Sequence, residues 1–357
     1  MATFTSSQAL LRLLDIDVPI IQSPMAGVSS PAMAAAVANA GALGSIGVGA
    51  TDAAGARRMI AAVRERSDRS LNVNVFCHKP PIPDSAVAGA WIERLRPQFR
   101  SYDAEPPAQL REIYRSFVED DEMLAMLGTE RPKVVSFHFG VPASERLRAL
   151  RESGIVLLAS ATSVAEARVA ARAGVHAVIA QGYEAGGHRG VFDPNSLDDQ
   201  LGTVALARLL VRELDIPVIA AGGMMDGAGI AAALRLGASA AQLGTAFIGC
   251  PESDADAGYR AALASDAAYH TIMTRVISGR PARSLSNRFT ELGLRIAPGE
   301  VPAYPIAYHA GKALHAAAKA AQEPGYGAHW AGQGAPLART LPAADLVGQL
   351  VRELEAS

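Results

Sequence analysis

A histidine and four glycines share one short loop of the sequence, at residues 180–190. The loop follows the apolar run Ala177-Val178-Ile179, which indicates a short buried strand. Glycine lets a backbone approach a ligand closely because no Cβ intervenes, and a histidine can exchange a proton near neutral pH. We therefore expect this loop to lie over a bound ligand, with His188 facing a substrate.

A second histidine, His138, also follows a predicted strand, and we expect it to face the same side of the fold as His188. A metal site with Glu184 as the carboxylate ligand is an alternative for this pair. We predict no metal, because neither an HxH nor an HExxH spacing occurs in the sequence. A buried structural role is an equal alternative for His138, whereas the glycine neighbours of His188 leave little side chain to bury it.

Two glycine turns indicate a phosphate site. Gly222-Gly223 follows the apolar residues 217–221, and Gln242-Leu243-Gly244-Thr245 ends the apolar segment 240–244. Each turn precedes a predicted helix, where backbone N–H groups and the helix dipole attract a phosphate. Ordinary turn glycines are the alternative. No GxGxxG motif follows the first predicted strand, which argues against a Rossmann dinucleotide fold.

Amide side chains at two further strand ends have the chemistry to bind the edge of a flavin ring. Asn74 ends one predicted strand and Gln181 another, and either amide can both donate and accept hydrogen bonds. Met25, after the first strand, can pack against the ring. Each residue alone has another explanation, as a polar strand end or a core methionine, and their shared position favours ligand binding.

Two tyrosines and a lysine are spaced for one helix face near the C-terminus. Pro305 suits a first helical turn, and Tyr308 and Lys312 are then four residues apart on the same face. Tyr304 lies at the start of this helix on nearly the same side. These groups can bind a small anion together, but the spacing alone favours a solvated face with half-buried tyrosines.

Eight apolar segments that alternate with helical patterns are the elements that must position these residues. The predicted strands are residues 19–24, 42–46, 71–76, 133–140, 155–159, 177–180, 217–221 and 240–244, and the predicted helices include 32–40, 51–66, 164–173, 203–214 and 227–236. Such alternation predicts a parallel sheet, and eight units suit a closed barrel. An open doubly wound sheet is the alternative.

The predicted fold class is α/β, a TIM (β/α)8 barrel with a smaller helical cap domain built from insertions. We assign residues 1–76 and 132–248 to the barrel, and residues 77–131 and 249–303 to the cap on the substrate side. Helices are predicted near 87–99 and 109–127 in the first insertion. Residues 304–357 are predicted to form helices that complete the pocket and the barrel. In such a barrel the active site lies at the carboxyl ends of the strands, with phosphate after the last two.

The composition excludes several classes of protein. The chain has 357 residues, of which 50% are hydrophobic, and a net charge of −2 without a basic block. Nucleic-acid binding therefore has no electrostatic support, and we expect no membrane partner. Two distant cysteines make no disulfide framework. With no signal-peptide pattern at residues 1–7, we expect a cytoplasmic location.

Taken together, these motifs resemble one known family, the FMN-dependent nitronate monooxygenases, also called 2-nitropropane dioxygenases. The resemblance covers nearly the whole chain and is carried by residues 19–27, 136–140, 181–190, 221–223 and 242–245. The Gly186-Gly187-His188 sequence is the most specific of these motifs, because the glycine turns also occur in other flavin barrels. The tyrosine–lysine set is similar to that of the class I enzymes, which act on propionate 3-nitronate.

The resemblance implies non-covalent FMN and oxidation of alkyl nitronates by O2 to a carbonyl compound and nitrite or nitrate, through a flavin semiquinone. It implies His188 as the catalytic residue. The predicted substrate-binding residues are His138, Tyr304, Tyr308, Lys312, Tyr259 and Tyr114. The predicted FMN-binding residues are Gln22, Ser23, Pro24, Met25, Asn74, Gln181, Gly186, Gly187, Gly222, Gly223, Gln242, Leu243, Gly244 and Thr245.

Two alternatives of different kinds stay open on the sequence. One is an FMN-dependent NAD(P)H oxidoreductase on the same barrel, such as a quinone reductase or an enoyl-thioester reductase, which shares the phosphate turns. The other is a flavin-binding barrel without turnover, disfavoured because two histidines face the predicted flavin. Either a monomer or a homodimer is compatible with the sequence, and detoxification of propionate 3-nitronate is an expectation from the resemblance alone.

Overall fold

Eight parallel strands form a closed barrel in the computed structural model, which describes residues 2–357 and the side chains of residues 7–357. The strands of the described chain are β1 (Ile20–Gln22), β2 (Gly44–Gly47), β3 (Leu71–Phe76), β4 (Val134–His138), β5 (Val156–Ala161), β6 (Ala177–Gln181), β7 (Gly187–His188), β8 (Val218–Ala221), β9 (Ala240–Leu243), β10 (Thr271–Thr274) and β11 (Ala282–Leu285). The barrel order is β1-β9-β8-β6-β5-β4-β3-β2. A parallel bridge between Ile21 and Leu43 joins its two ends. The predicted TIM barrel and its eight strands are confirmed.

Helices follow the barrel strands, as the alternating pattern predicts. They are α1 (Ala2–Leu14), α2 (Pro31–Asn39), α3 (Ala53–Arg64), α4 (Ser85–Arg100), α5 (Asp121–Glu130), α6 (Ser144–Glu152), α7 (Val164–Ala173), α8 (Thr203–Glu213), α9 (Gly227–Arg235), α10 (Thr245–Ile248), α11 (Ala257–Leu263), α12 (Arg288–Gly293), α13 (Ile306–Ala320) and α14 (Ala343–Glu355). Ser30 caps α2 by accepting a hydrogen bond from the Met33 N–H at 3.0 Å. None of these helices, within residues 2–357, is long and apolar enough to cross a membrane.

One predicted helix is largely wrong. Residues 109–127 were expected to be helical, but the chain is irregular up to a short 3-10 turn at Phe117–Glu119, and α5 begins only at Asp121. The side chain of Asp120 accepts a hydrogen bond from the Met123 N–H at 3.0 Å and so fixes the start of α5. The irregular part matters to the site, because it carries Tyr114 to the cavity.

The barrel is closed at the amino ends of its strands. Leu10 and Leu14 on α1 are fully buried and share one hydrophobic cluster with inward residues near the strand starts, including Val134 and Val156. Such burial removes apolar surface from water and stabilises the plug. Because this end is filled, a ligand has access only at the carboxyl ends of the strands.

Segments outside the barrel cover this open end. Trp91 on α4 packs with Val276 and Phe289 of the second insertion and with Leu314 on α13, in one hydrophobic cluster. The region also contains a three-stranded antiparallel sheet of order β10-β11-β7, which the sequence did not predict. Its strand β7 is the Gly187–His188 part of the loop after β6, so the cover and the barrel meet at His188.

Candidate active site

The carboxyl ends of the strands enclose a cavity of about 410 Å³. Side chains from β3, β4, β5 and β6 form its floor, among them Asn74, His138, Ser160 and Gln181. Residues of α13 and the segment at 328–334, which we call the roof segment, cover it from the other side. The site therefore lies between the barrel and its cover.

His188 is held in the cavity by its backbone and by one hydroxyl. Its backbone pairs with Ala282 of β11, and its Nε2 lies 2.9 Å from Oγ of Ser278. The Nδ1 atom of His188 has no hydrogen-bond partner among residues 7–357. The ring is perpendicular to Phe139 at a centroid distance of 5.6 Å. One ring nitrogen is thus fixed, and the other is left for a ligand.

The loop that carries His188 is held by two side chains of the barrel floor. Nε2 of Gln181 donates to the His188 carbonyl at 3.0 Å, and its Oε1 accepts from the Gly190 N–H at 2.7 Å. Nε2 of His138 lies 3.0 Å from the same carbonyl, and its Nδ1 lies 3.1 Å from Oγ of Ser160. A carbonyl only accepts, so His138 carries its proton on Nε2 and accepts from Ser160 on Nδ1.

His188 and His138 are both neutral. Burial, followed by the nearby His138 and Arg280, lowers the pKa of His188 to about 3. Burial also lowers the pKa of His138 to about 4, against the opposing effect of its bond to the His188 carbonyl. Near neutral pH the two rings therefore add hydrogen-bonding groups to the cavity, but no charge.

Three tyrosines and one lysine form the wall opposite the floor. Nζ of Lys312 lies 5.1 Å from the ring centroid of Tyr114 and 5.6 Å from that of Tyr308. No carboxylate among the described side chains lies within 4 Å of it. The Tyr304 ring is 5.3 Å from the His188 ring, and its buried hydroxyl has no hydrogen-bond partner. An unpaired cation and an unpaired hydroxyl at one wall favour an anionic ligand.

The two glycine turns lie at another part of the same cavity. Gly222 and Gly223 have φ values of +123° and +74°, a conformation that glycine adopts without strain. Both line the cavity, as do Gly244 and Thr245. Oγ1 of Thr245 accepts from the N–H of Gly332 in the roof segment at 3.0 Å. This arrangement brings glycine backbone, with no Cβ in between, to the edge of the cavity, as a phosphate site needs.

The donors and acceptors of the cavity suit a flavin. Oε1 of Gln242 is buried without a partner, so it can accept from a ring N–H. The Asn74 amide donates to the carbonyl and hydroxyl of Ser136 at 3.1 and 3.0 Å, which leaves its Oδ1 as an acceptor at the cavity. The residues present therefore fit a planar heterocycle that carries a phosphate.

Comparison with known proteins identifies the family. A model of the nitronate monooxygenase family matches residues 7–353. A nitronate monooxygenase of Paraburkholderia phytofirmans is 60% identical over all of this chain and 98% of its own, and one of Pseudomonas aeruginosa is 53% identical over 96% and 98%. The chain belongs to the nitronate monooxygenase family. It is therefore an oxidoreductase.

Solved structures share the fold of this chain. A nitroalkane oxidase from Streptomyces ansochromogenes superposes with a TM-score of 0.89 at 41% identity, over 98% of each chain. FabK from Thermotoga maritima superposes with a TM-score of 0.75 at 29% identity, over 98% of this chain and 96% of its own. The fold of this chain is thus shared, over nearly its whole length, with solved structures.

The residues predicted from this family's motifs converge on the cavity, with one exception. The cavity lining includes His188, His138, Tyr304, Tyr308, Lys312, Tyr259, Tyr114, Ser23, Pro24, Met25, Asn74, Gln181, Gly186, Gly187, Gly222, Gly223, Gln242, Leu243, Gly244 and Thr245. Gln22 is fully buried behind this lining, where its Oε1 accepts from the Ser45 N–H at 2.9 Å and its amide donates to Ser29. Gln22 therefore supports the loop that follows β1 and does not line the cavity.

Two further predicted residues already have partners. The hydroxyl of Tyr259 donates to the Trp330 carbonyl, and its ring stacks on His329 at 4.9 Å. Glu184, the carboxylate of the alternative metal site, accepts from the N–H and the hydroxyl of Thr203 at 2.8 and 2.9 Å and so caps α8. Among the described side chains, no group of three His, Cys, Asp or Glu residues is arranged to hold a metal ion.

Sequence reasoning missed four residues of this site: Ser278, Arg280, His329 and Trp330. Trp330 lines the cavity with its ring 5.1 Å from the His188 ring. All four lie outside the βα units, so no strand-end rule points to them. The signal available was composition alone, since Trp330 is one of only two tryptophans in the chain.

Proposed function

We propose that this chain binds FMN and uses O2 to oxidise alkyl nitronates, propionate 3-nitronate among them, to a carbonyl compound and nitrite or nitrate. The proposal rests on the observation that two different binding surfaces face each other in one cavity. One wall has glycine turns and amide groups that suit a flavin, and the other has unpaired donors that suit a small anion.

FMN would be held by the backbone of Gly222-Gly223 and Gly244-Thr245 at its phosphate, and by Asn74 and Gln242 at its ring. When bound, FMN supplies the electron transfer from the nitronate and the reaction with O2. The chain's own part is to exclude water, to orient the substrate and to stabilise its charge.

Lys312 and the hydroxyls of Tyr304 and Tyr308 would bind the anion. Burial and the nearby Tyr114 raise the pKa of Tyr308 to about 12, so the hydroxyl keeps its proton and donates it in a hydrogen bond. A second anionic group, such as the carboxylate of propionate 3-nitronate, then has the Lys312 ammonium as its partner.

His188 would orient the nitronate through a hydrogen bond from Nδ1, with Nε2 accepting from the hydroxyl of Ser278. With its pKa lowered to about 3, His188 is a weak base. A neutral nitroalkane requires a base to remove its α-proton, whereas a nitronate has already lost that proton. The neutral imidazole therefore favours nitronates over neutral nitroalkanes as substrates.

Anaerobic mixing tests the proposal. A nitronate should give the spectrum of a one-electron-reduced flavin, and NADH should leave the oxidised spectrum unchanged. Bleaching by NADH alone would favour the alternative of an NAD(P)H oxidoreductase, to which the similarity with FabK points. The His188→Asn variant should retain FMN and lose most of its turnover, and steady-state kinetics equal to those of the wild type would contradict the role of His188.

A further inference from the structure

Arg280 is a buried cation without an acidic partner beside the cavity. Its side chain is 3% exposed, and its guanidinium carbon lies 4.2 Å from the ring centroid of Phe139. One guanidinium nitrogen donates to the Val191 carbonyl, while Nε has no hydrogen-bond partner. No described carboxylate lies within 4 Å of it.

Two other buried arginines near this loop, Arg189 and Arg283, have different arrangements. Arg189 is 2% exposed, and its Nε lies 2.8 Å from a carboxylate oxygen of Asp198. A buried charge is costly unless it is paired, and Arg189 follows that rule. Arg283 is 3% exposed and has no described carboxylate within 4 Å, but its Nε and Nη2 donate to the Tyr183 carbonyl and its Nη1 to the Thr271 hydroxyl. Arg280 differs from both, because it has neither a carboxylate partner nor a hydrogen-bond partner for Nε, and this costly burial calls for a role.

Arg280 is connected to His138 and His188 by intermediate contacts, through the Phe139 ring and through the turn at Ser278. The Phe139 ring that it covers is 4.5 Å from the His138 ring and 5.6 Å from the His188 ring. The backbone of Arg280 also bonds the hydroxyl of Ser278, the same group that holds Nε2 of His188.

Arg280 is itself a positive charge among charged groups of both signs. Burial lowers its pKa to about 10, so it stays charged at neutral pH, with Tyr304 opposing the shift. Arg275 lowers the pKa of Arg280 further, and the carboxylates of Glu166 and Asp193 oppose the shift. The Arg280 charge contributes to the lowered pKa values of His78, His138 and His188, for each of which burial is the larger cause.

We propose that Arg280 is an electrostatic positioning residue of the active site, a fixed buried charge that stabilises anions in the cavity without touching them. The anions are the nitronate and the negatively charged flavin, so this inference rests on the proposed function. A charge within roughly 10 Å acts strongly where water is excluded, and it needs no rearrangement when negative charge develops.

Sulfite is a suitable probe, because its adduct with oxidised flavin adds negative charge at the ring. In the FMN-bound enzyme, Arg280→Met should weaken sulfite binding at least about tenfold, and Arg280→Lys should restore most of the affinity. Arg275→Met is the matched control, since Arg275 is half-buried, donates to the Pro194 carbonyl and, unlike Arg280, does not contribute to the lowered pKa of His78, His138 or His188. It should leave the sulfite dissociation constant within about twofold of the wild type. Arg280→Gln replaces Arg280→Met if the latter does not fold.

A second measurement does not depend on the flavin. NMR titration of labelled histidines should show the pKa of His188 and His138 rising in Arg280→Met and unchanged in Arg280→Lys. If propionate 3-nitronate is not turned over but these shifts occur, the proposed function fails and the role of Arg280 stands. If sulfite affinity and histidine titration in Arg280→Met both equal those of the wild type, the role of Arg280 is refuted.

Discussion

His329 gives a sharp prediction for how stability depends on pH. The ring is 4% exposed, and both of its nitrogens lack a hydrogen-bond partner among the described residues. Burial lowers its pKa from 6.5 to about 4, with Asp256 opposing the shift. The folded protein therefore resists protonation of a ring that the unfolded chain protonates readily. The contribution of His329 to the unfolding free energy is therefore fully present above pH 6.5 and is lost as the pH falls towards 4.

The magnitude follows from linkage. Between about pH 7.5 and about pH 5, a histidine with these two pKa values loses about 2 kcal/mol of unfolding free energy. His329→Phe keeps the stack on Tyr259 and removes the titrating group. The variant should therefore lose about 2 kcal/mol less than the wild type over this interval. Urea unfolding at several pH values, followed by circular dichroism, measures the difference.

The matched control is His270→Phe, which removes an exposed imidazole. It should retain the pH dependence of the wild type. Other acid-sensitive groups act equally in all three proteins, so they cancel in the comparison. The reasoning is refuted if His329→Phe and the wild type lose the same unfolding free energy between the two pH values.

Two further substitutions test the positioning of the His188 loop. Ser278→Ala removes the hydroxyl that lies 2.9 Å from Nε2 of His188. The variant should retain FMN and have a kcat about tenfold lower, measured by O2 uptake. An unchanged kcat would contradict the positioning role of Ser278. Gly186→Ala places a Cβ 2.5 Å from the backbone nitrogen of Gly332, which is too close for an unchanged backbone. The variant should therefore lose about 2 kcal/mol of unfolding free energy and should release FMN on dialysis. In the control Gly89→Ala the added Cβ meets no atom within 4 Å, and equal flavin content in both variants would count against the clash.

The barrel was predictable because its signals are local. Apolar runs such as residues 71–76 and caps such as Ser30 reflect burial and backbone hydrogen bonds within a few residues. The strand-end rule then brought Asn74, Gln181 and His188 to one cavity without any knowledge of distances. These inferences needed only periodicity and the parallel direction of the strands.

The cover of the site was less predictable, because its contacts join distant parts of the chain. The strand β7 has only two residues and exists because Ala282 and Arg283 pair with it, nearly a hundred positions away. Ser278 gives no sequence signal of its bond to His188. Gln22 was a predicted FMN-binding residue because it ends a strand, but its side chain bonds the Ser45 N–H behind the cavity lining.

The roof segment also sets the order in which the site is assembled during synthesis. Its backbone crosses the His188 loop at van der Waals distance near Gly186, and the Gln333 N–H donates to the Glu184 carbonyl at 2.9 Å. All eight barrel strands are translated by residue 243, whereas the roof follows at residues 328–334. A nascent chain on the ribosome therefore has its barrel strands well before it has an enclosed cavity. Loading with a ligand is consequently a late event, after nearly the whole chain has emerged.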